Sequence, residues 1–245
     1  EWFSHRPDGT INYAENPPKK YEDIYPLNFY CDRWQELWDE LKSIILFWIE
    51  QGVRIFRIDN PHTKPLVFWK WLIDEVQKDH PDAIFFAEAF TRPKIMKFLA
   101  KAGFTQSYTY FTWRNNKQEL RQYLEELTQT SMKDYYRGNL FANTPDILHE
   151  FLQKGGRPAF MIRLILAATL SSSYGIYNSF ELCEAAAREP GSEDYLDSEK
   201  YQYKVWDWDR PGHIKDLISK INLIRSENPA LQEYKNLEFY DSKND

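Results

Sequence analysis

Short apolar runs begin near residues 53, 83, 106, 140 and 172, and a segment of helical periodicity follows each one. Strands that alternate with helices fold into a parallel sheet covered by helices, because a parallel neighbour is reached only through a crossover. The first run sets the pattern. Val53, Arg54, Ile55, Phe56, Arg57 and Ile58 read as a strand. Gly52 ends the helix before it, Asn60-Pro61 turns the chain out of it, and Pro65 opens the next helix. The periodicity predicts strands over 53–58, 83–87, 106–111, 140–143 and 172–177. It predicts helices over 33–51, 65–78, 93–102, 116–128, 159–170 and 213–226. In the first helix Trp34, Leu37, Trp38, Leu41, Ile44, Ile45 and Trp48 share one face, with Asp32 as its N-cap. Gly155-Gly156 reads as a turn between helices.

Five strand–helix units amount to the later part of a closed eight-stranded barrel. The expected fold class is α/β, a (β/α)8 TIM barrel represented by about strands 4 to 8. Residues 1–30 carry Pro7, Pro17, Pro18, Pro26 and the turn signal Asp8-Gly9, and read as a long functional loop region. Residues 31–231 form the partial barrel in this reading. Residues 232–245 open a C-terminal β domain, with a strand expected at Leu237 to Tyr240.

Three acids stand where predicted strands end: Asp59, Glu88 and Asp146. The strand ends of a parallel barrel converge on one face, so acids far apart in sequence can meet there. Paired carboxylates at such a site suit glycosidic chemistry, one as nucleophile and one as proton donor. Arg57 lies two residues before Asp59 and therefore leaves the strand on the same side, where it could hold Asp59 ionised. The competing reading makes each acid a helix cap, which is an ordinary place for Asp. Three at once, each at a strand end, favour the site.

Composition narrows the partners. A net charge of −6 and a pI near 5.5 lack the basic face of a nucleic-acid binder. Basic residues do cluster locally, at Lys19-Lys20, Lys64, Arg92, Lys94 and Lys97, which leaves a small anionic ligand open. No apolar run reaches the roughly 18 residues of a membrane span. Cys31 and Cys183 are the only cysteines and make no disulfide framework, which suits a reducing cytoplasm. His5, His62, His80, His149 and His213 have no ligand spacing, so no metal is expected. Trp206 and Trp208 could stack on a sugar or belong to the core or rim.

GVRIFRIDNPH, FFAEAF and FANTPD resemble three sequence regions of the α-amylase superfamily, in their usual order. The resemblance implies Asp59 as nucleophile, Glu88 as general acid/base, Asp146 as transition-state stabiliser and Arg57 as the support of Asp59. The chain departs from typical amylases at His62-Thr63, where Lys-His is usual, and at Thr144-Pro145-Asp146, where Asn-His-Asp is usual. Those departures, with DNPHTKP, AEAFTRP and ENPPKKYEDIYP, resemble the bacterial α-1,4-glucan:maltose-1-phosphate maltosyltransferases along nearly the whole chain. That resemblance implies a retaining transfer of maltosyl units from α-maltose 1-phosphate to α-1,4-glucan, with no cofactor and no metal, in a cytoplasmic protein that is usually a homodimer. It implies a substrate-binding role for residues 1–30, with Asn16, Lys19, Tyr21 and Asn60 on the phosphate and Lys200 and Tyr201 on the donor sugar. A hydrolase or transglucosylase of the same superfamily shares the acids and is the alternative. An inactive carbohydrate-binding piece is the second.

Overall fold

The parallel strands are short, and the way they pair decides where each acid ends up. The computed structural model describes residues 2–16 and 19–241, the side chains of Asn16 and Lys19 excepted. An antiparallel pair comes first, β1 (Ala14–Asn16) with β2 (Lys19–Tyr21). There follow α1 (Trp34–Glu50), β3 (Ile55–Asp59), α2 (Leu66–Asp79), β4 (Ile84–Glu88) and α3 (Pro93–Lys101). Next come β5 (Gln106–Tyr108), α4 (Lys117–Gln129), β6 (Gly138–Phe141), α5 (Glu150–Thr169), β7 (Ser173–Gly175) and α6 (Lys215–Glu227). Strands β3 to β7 form one five-stranded parallel sheet in sequence order. Sequential parallel neighbours with a helix after each strand are the arrangement of part of a (β/α)8 barrel.

The two faces of the sheet differ. On β4, Phe85 and Ala87 are fully buried and pack with Phe68, Leu72, Ile73 and Val76 of α2 and Leu99 of α3. On β3, Ile55, Arg57 and Asp59 alternate with Phe56 and Ile58 and lie on the more exposed side. Gly175 ends β7 close under the Phe141 ring, where a Cβ would sit 2.2 Å from a ring carbon. That close approach lets Phe141 stack on Tyr108 at 4.3 Å.

Several boundaries differ from the sequence reading, each for a local reason. Asp32 does not cap α1, which begins after Arg33 with no side-chain cap. The third strand stops at Tyr108, because Thr109 Oγ1 accepts from the Phe111 N–H at 3.4 Å and winds Tyr110–Trp113 into a 3-10 turn. Helix α5 starts earlier than expected, capped by His149, whose Nδ1 accepts from the Phe151 N–H at 3.0 Å. Gly156, at φ 56°, then kinks it. Leu237 to Tyr240 form no strand; Leu237 and Phe239 pack on Phe111, Leu124, Leu140 and Ala167. Three of the seven residues on the face expected to be buried on α1 stay exposed: Leu37 is buried, but Trp34, Ile44 and Trp48 are exposed. No described helix is long and apolar enough to cross a membrane.

Candidate active site

Strands β3 and β4 pair with Arg57 opposite Phe86 and Asp59 opposite Glu88. Residues in register on neighbouring parallel strands point to the same face, about 4.8 Å apart at the backbone. Two acids distant in sequence thus become side-by-side carboxylates at the C-terminal strand ends. Arg57, two residues earlier on the same face, reaches both. Its Nη1 lies 3.1 Å from Asp59 Oδ1 and its Nη2 lies 3.6 Å from Glu88 Oε1.

The turn after β3 completes the pair. Asn60 adopts φ 44° and ψ 48°, a left-handed conformation that Asn tolerates better than most residues. Its backbone N–H then points at β4 and donates to the Glu88 carbonyl at 3.0 Å and to Glu88 Oε2 at 3.3 Å. Trp69 Nε1–H donates to the Pro61 carbonyl at 2.8 Å and ties the turn to α2.

The environments of the two acids diverge. The Asp59 side chain is 66 % exposed and that of Glu88 only 9 %. Burial pushes the Glu88 carboxyl above its ordinary range. Arg57 and the Asn60 N–H oppose that rise, while Asp59 and Asp146 add to it. Desolvation is the largest of these causes, ahead of crowding by the other acids.

Asp146 sits beyond β6, in a tight turn where Thr144 bridges Ile147. Its backbone N–H donates to Thr144 Oγ1 at 3.2 Å, and Lys200 Nζ holds its Oδ1 at 2.5 Å. Burial lowers the Lys200 ammonium, but the Asp146 contact outweighs it and leaves the pKa above the usual lysine value. The neighbouring Glu199 accepts from Asn178 Nδ2 at 2.8 Å, Trp206 Nε1 at 2.9 Å and the Tyr177 hydroxyl at 3.1 Å. The bonds from Tyr177 and Asn178 fasten the loop that carries Lys200 to the end of β7, and the bond from Trp206 braces that loop internally.

Asp59, Asn60, Glu88 and Asp146 line one cavity of about 570 Å³. Ala14, Glu15, Tyr21 and Ile24, from the β1–β2 region, close its other side. Tyr21 and Asn60 thus line the same cavity as the three acids. The side chains of Asn16 and Lys19 lie outside the described residues. Lys200 and Tyr201 line an adjacent cavity of about 390 Å³, where Tyr201 is largely exposed. Trp206 is engaged by Glu199, while Trp208 stays exposed. No three His, Cys, Asp or Glu side chains among the described residues are placed to hold a metal ion.

Sequence reasoning passed over Tyr108, whose ring lies 5.9 Å from the Arg57 guanidinium, and Glu199. Neither carries a motif signal, since each acts through a neighbour brought in by the fold. In the sequence Lys64 is one of several locally clustered basic residues with no role of its own, yet it lines the cavity of the three acids.

Comparison with known proteins extends along the whole chain. An alpha-1,4-glucan:maltose-1-phosphate maltosyltransferase of Rhodospirillum rubrum is 64 % identical over 245 residues. Proteins of that name from Myxococcus xanthus and Methylacidiphilum infernorum are 59 % and 57 % identical over 245 and 244 residues. The chain spans 36 % of the first relative's length and 37 % of the other two. An α-amylase from H. orenii superposes with a TM-score of 0.69 at 16 % identity, covering 94 % of this chain and 56 % of the amylase. A cyclic α-maltosyl-(1→6)-maltose hydrolase from Arthrobacter globiformis gives 0.68 at 16 % identity, covering 94 % and 52 %. At that identity the two superpositions speak for the fold alone. No family model matches the chain.

Proposed function

We infer, for a chain with the α-amylase superfamily barrel that is similar along its length to α-1,4-glucan:maltose-1-phosphate maltosyltransferases, that it carries the catalytic acids of such an enzyme. In this reading it transfers maltosyl units from α-maltose 1-phosphate to α-1,4-glucan with retention. The observation that carries the chemistry is the register pair, Asp59 beside Glu88 on one guanidinium. The names of the relatives supply the substrates.

The roles follow from the environments. Asp59, exposed to the cavity and paired with Arg57, is the nucleophile: its carboxylate attacks the anomeric carbon as the bond to the phosphate oxygen breaks. Glu88, buried and raised, keeps a proton to give to that departing oxygen. Once the ester on Asp59 forms, one negative charge beside Glu88 is gone and its pKa falls. Glu88 then takes the proton of the acceptor hydroxyl, whose oxygen attacks the same carbon and frees Asp59. Retention needs the two carboxyls about 5 to 5.5 Å apart, and sharing one guanidinium favours such a short separation. Asp146, held by Lys200, faces the same cavity and would stabilise the oxocarbenium-like transition state.

The phosphate roles of Asn16, Lys19, Tyr21 and Asn60, the sugar contacts of Lys200 and Tyr201, the homodimer and the cytoplasmic location belong to the same proposal. Cys31 and Cys183 are unpaired, in keeping with a reducing compartment. The test is phosphate release from α-maltose 1-phosphate by the whole protein, with and without α-1,4-glucan. Acceptor-dependent release with lengthening of the glucan is expected. Hydrolysis of glucan with no use of the phosphate ester would replace this reading by the hydrolase.

A further inference from the structure

Charge at the cavity is unevenly spent. Its lining contributes three carboxylates, Glu15, Asp59 and Asp146, and the Glu88 carboxyl, which holds the proton of the acid step in the proposed reading, against one ammonium, Lys64, among the described residues. A phosphate ester near neutral pH brings about 1.5 to 2 further negative charges. Such a donor enters only if cations offset both sets, and most nearby cations are already engaged. Arg57 is taken by Asp59 and Glu88, and Lys200 by Asp146. Lys64 makes no ion pair among the described residues; its Nζ donates to the Thr63 hydroxyl at 3.0 Å.

Its position is built rather than incidental. The left-handed turn at Asn60 leads into the 3-10 turn Pro61–Thr63, and the Thr63 hydroxyl donates to the Asn60 carbonyl at 2.8 Å. The Lys64 N–H donates to the Pro61 carbonyl at 3.1 Å, and Trp69 holds that same carbonyl. The chain therefore doubles back five residues after Asp59, and the Lys64 side chain returns to the cavity half-buried. A solvated surface lysine would instead extend its stem into water. Burial lowers the Lys64 ammonium, and Asp59 only partly compensates. An anion beside it would relieve that cost.

We propose that Lys64 is a ligand of the donor's leaving phosphate, an inference that rests on the reading of this site as a transferase using a phosphate ester. In the first step the C1–O bond breaks with its electron pair going to the phosphate. The Glu88 proton goes to the leaving oxygen, the Asp59 carboxylate bonds to C1, and Lys64 remains an ammonium against the departing dianion. Lysine suits the task as a compact point charge.

The test compares two donors in the whole protein, α-maltose 1-phosphate and α-maltosyl fluoride, and adds inorganic phosphate as an inhibitor of the fluoride reaction. A charge-assisted hydrogen bond to phosphate corresponds to about a tenfold to hundredfold change in equilibrium or rate. Lys64→Gln should lower kcat/KM for the phosphate ester by that factor, with a loss on the fluoride about tenfold smaller, and weaken phosphate inhibition in parallel. Lys64→Arg keeps the charge and should recover most of both; it also serves if thermal unfolding shows that the Gln variant is not folded. Equal losses on the two donors, or unchanged phosphate inhibition in Lys64→Gln, would overturn the assignment. If the unmodified protein uses the fluoride but not the phosphate ester, the donor reading falls. Phosphate inhibition weakened in Lys64→Gln would still mark Lys64 as an anion ligand.

Discussion

The C-terminal ends of β3 and β4 carry the same chemistry in different settings. Each offers a carboxylate to one guanidinium, and the two residues are partners in the sheet register. Yet Asp59 is 66 % exposed while Glu88 is 9 % exposed. The reason is position in the sheet. Among the described residues β3 has one strand neighbour, whereas β4 lies between β3 and β5. The Asn60 turn also folds back over Glu88 and donates to it. In the proposed reading, burial on one side and a partnered, open carboxylate on the other separate the proton donor from the nucleophile.

The largest test of that division is Asp59→Ala. Loss of a nucleophile that nothing replaces should cut phosphate release by about 10⁴-fold or more, with donor binding still measurable. Activity within tenfold of the unmodified protein would end the comparison, since Asp59 and Glu88 would then not differ in role. Glu88→Ala should cost about 10² to 10⁴-fold with the phosphate ester. With maltosyl fluoride, whose leaving group needs little protonation, the same variant should accumulate a maltosyl ester on Asp59. Intact mass after a short incubation reads this directly, and an unmodified mass would remove Glu88 as the acid/base.

The pH response sharpens the contrast further. Folding raises the Glu88 carboxyl, so its contribution to stability is fully present below the ordinary unfolded value of about 4.3 and is lost as pH rises through the folded value. Glu88→Gln is neutral throughout and should raise Tm at pH 7, with the gain fading as pH is lowered through the folded value and gone below about 4.3. The alkaline limb of kcat/KM should lie above the ordinary carboxylate range, because the acid step needs Glu88 protonated. A Glu88→Gln variant less stable at pH 7 than the parent would mean that Arg57 and the Asn60 N–H outweigh burial.

The smallest effects concern packing rather than chemistry. On α1, Leu37 is buried in the interior and Trp48 is exposed, although both fall on the apolar face expected from periodicity. Leu37→Ala should cost about 2 to 5 kcal/mol, while Trp48→Gln in the same 245-residue chain should stay within about 0.5 kcal/mol. Denaturant unfolding of the two variants separates them, and similar losses would mean that Trp48 is covered in solution.

The helix–strand alternation was legible because it rests on local periodicity. So was the fact that Asp59 and Glu88 stand at strand ends, and that Arg57 shares a side with Asp59, since side chains two apart on a strand project together. Other parts were hidden for equally physical reasons. A threonine that ends a strand at Tyr108 and a histidine that starts α5 act through single hydrogen bonds that pattern does not record. Lys64 and Glu199 carry ordinary charged side chains, and only the chain's return to the cavity or a set of three donors distinguishes them.

By itself the sequence determined the α/β order, the acids, and a close likeness to one group of relatives, because these depend on neighbours in the chain. Only the tertiary structure decided the rest. Register set Asp59 against Glu88, burial pushed the Glu88 carboxyl above its ordinary range, and the Asn60 turn brought Lys64 back to the same cavity. Those outcomes depend on pairing and desolvation between segments far apart in sequence, which no local pattern encodes.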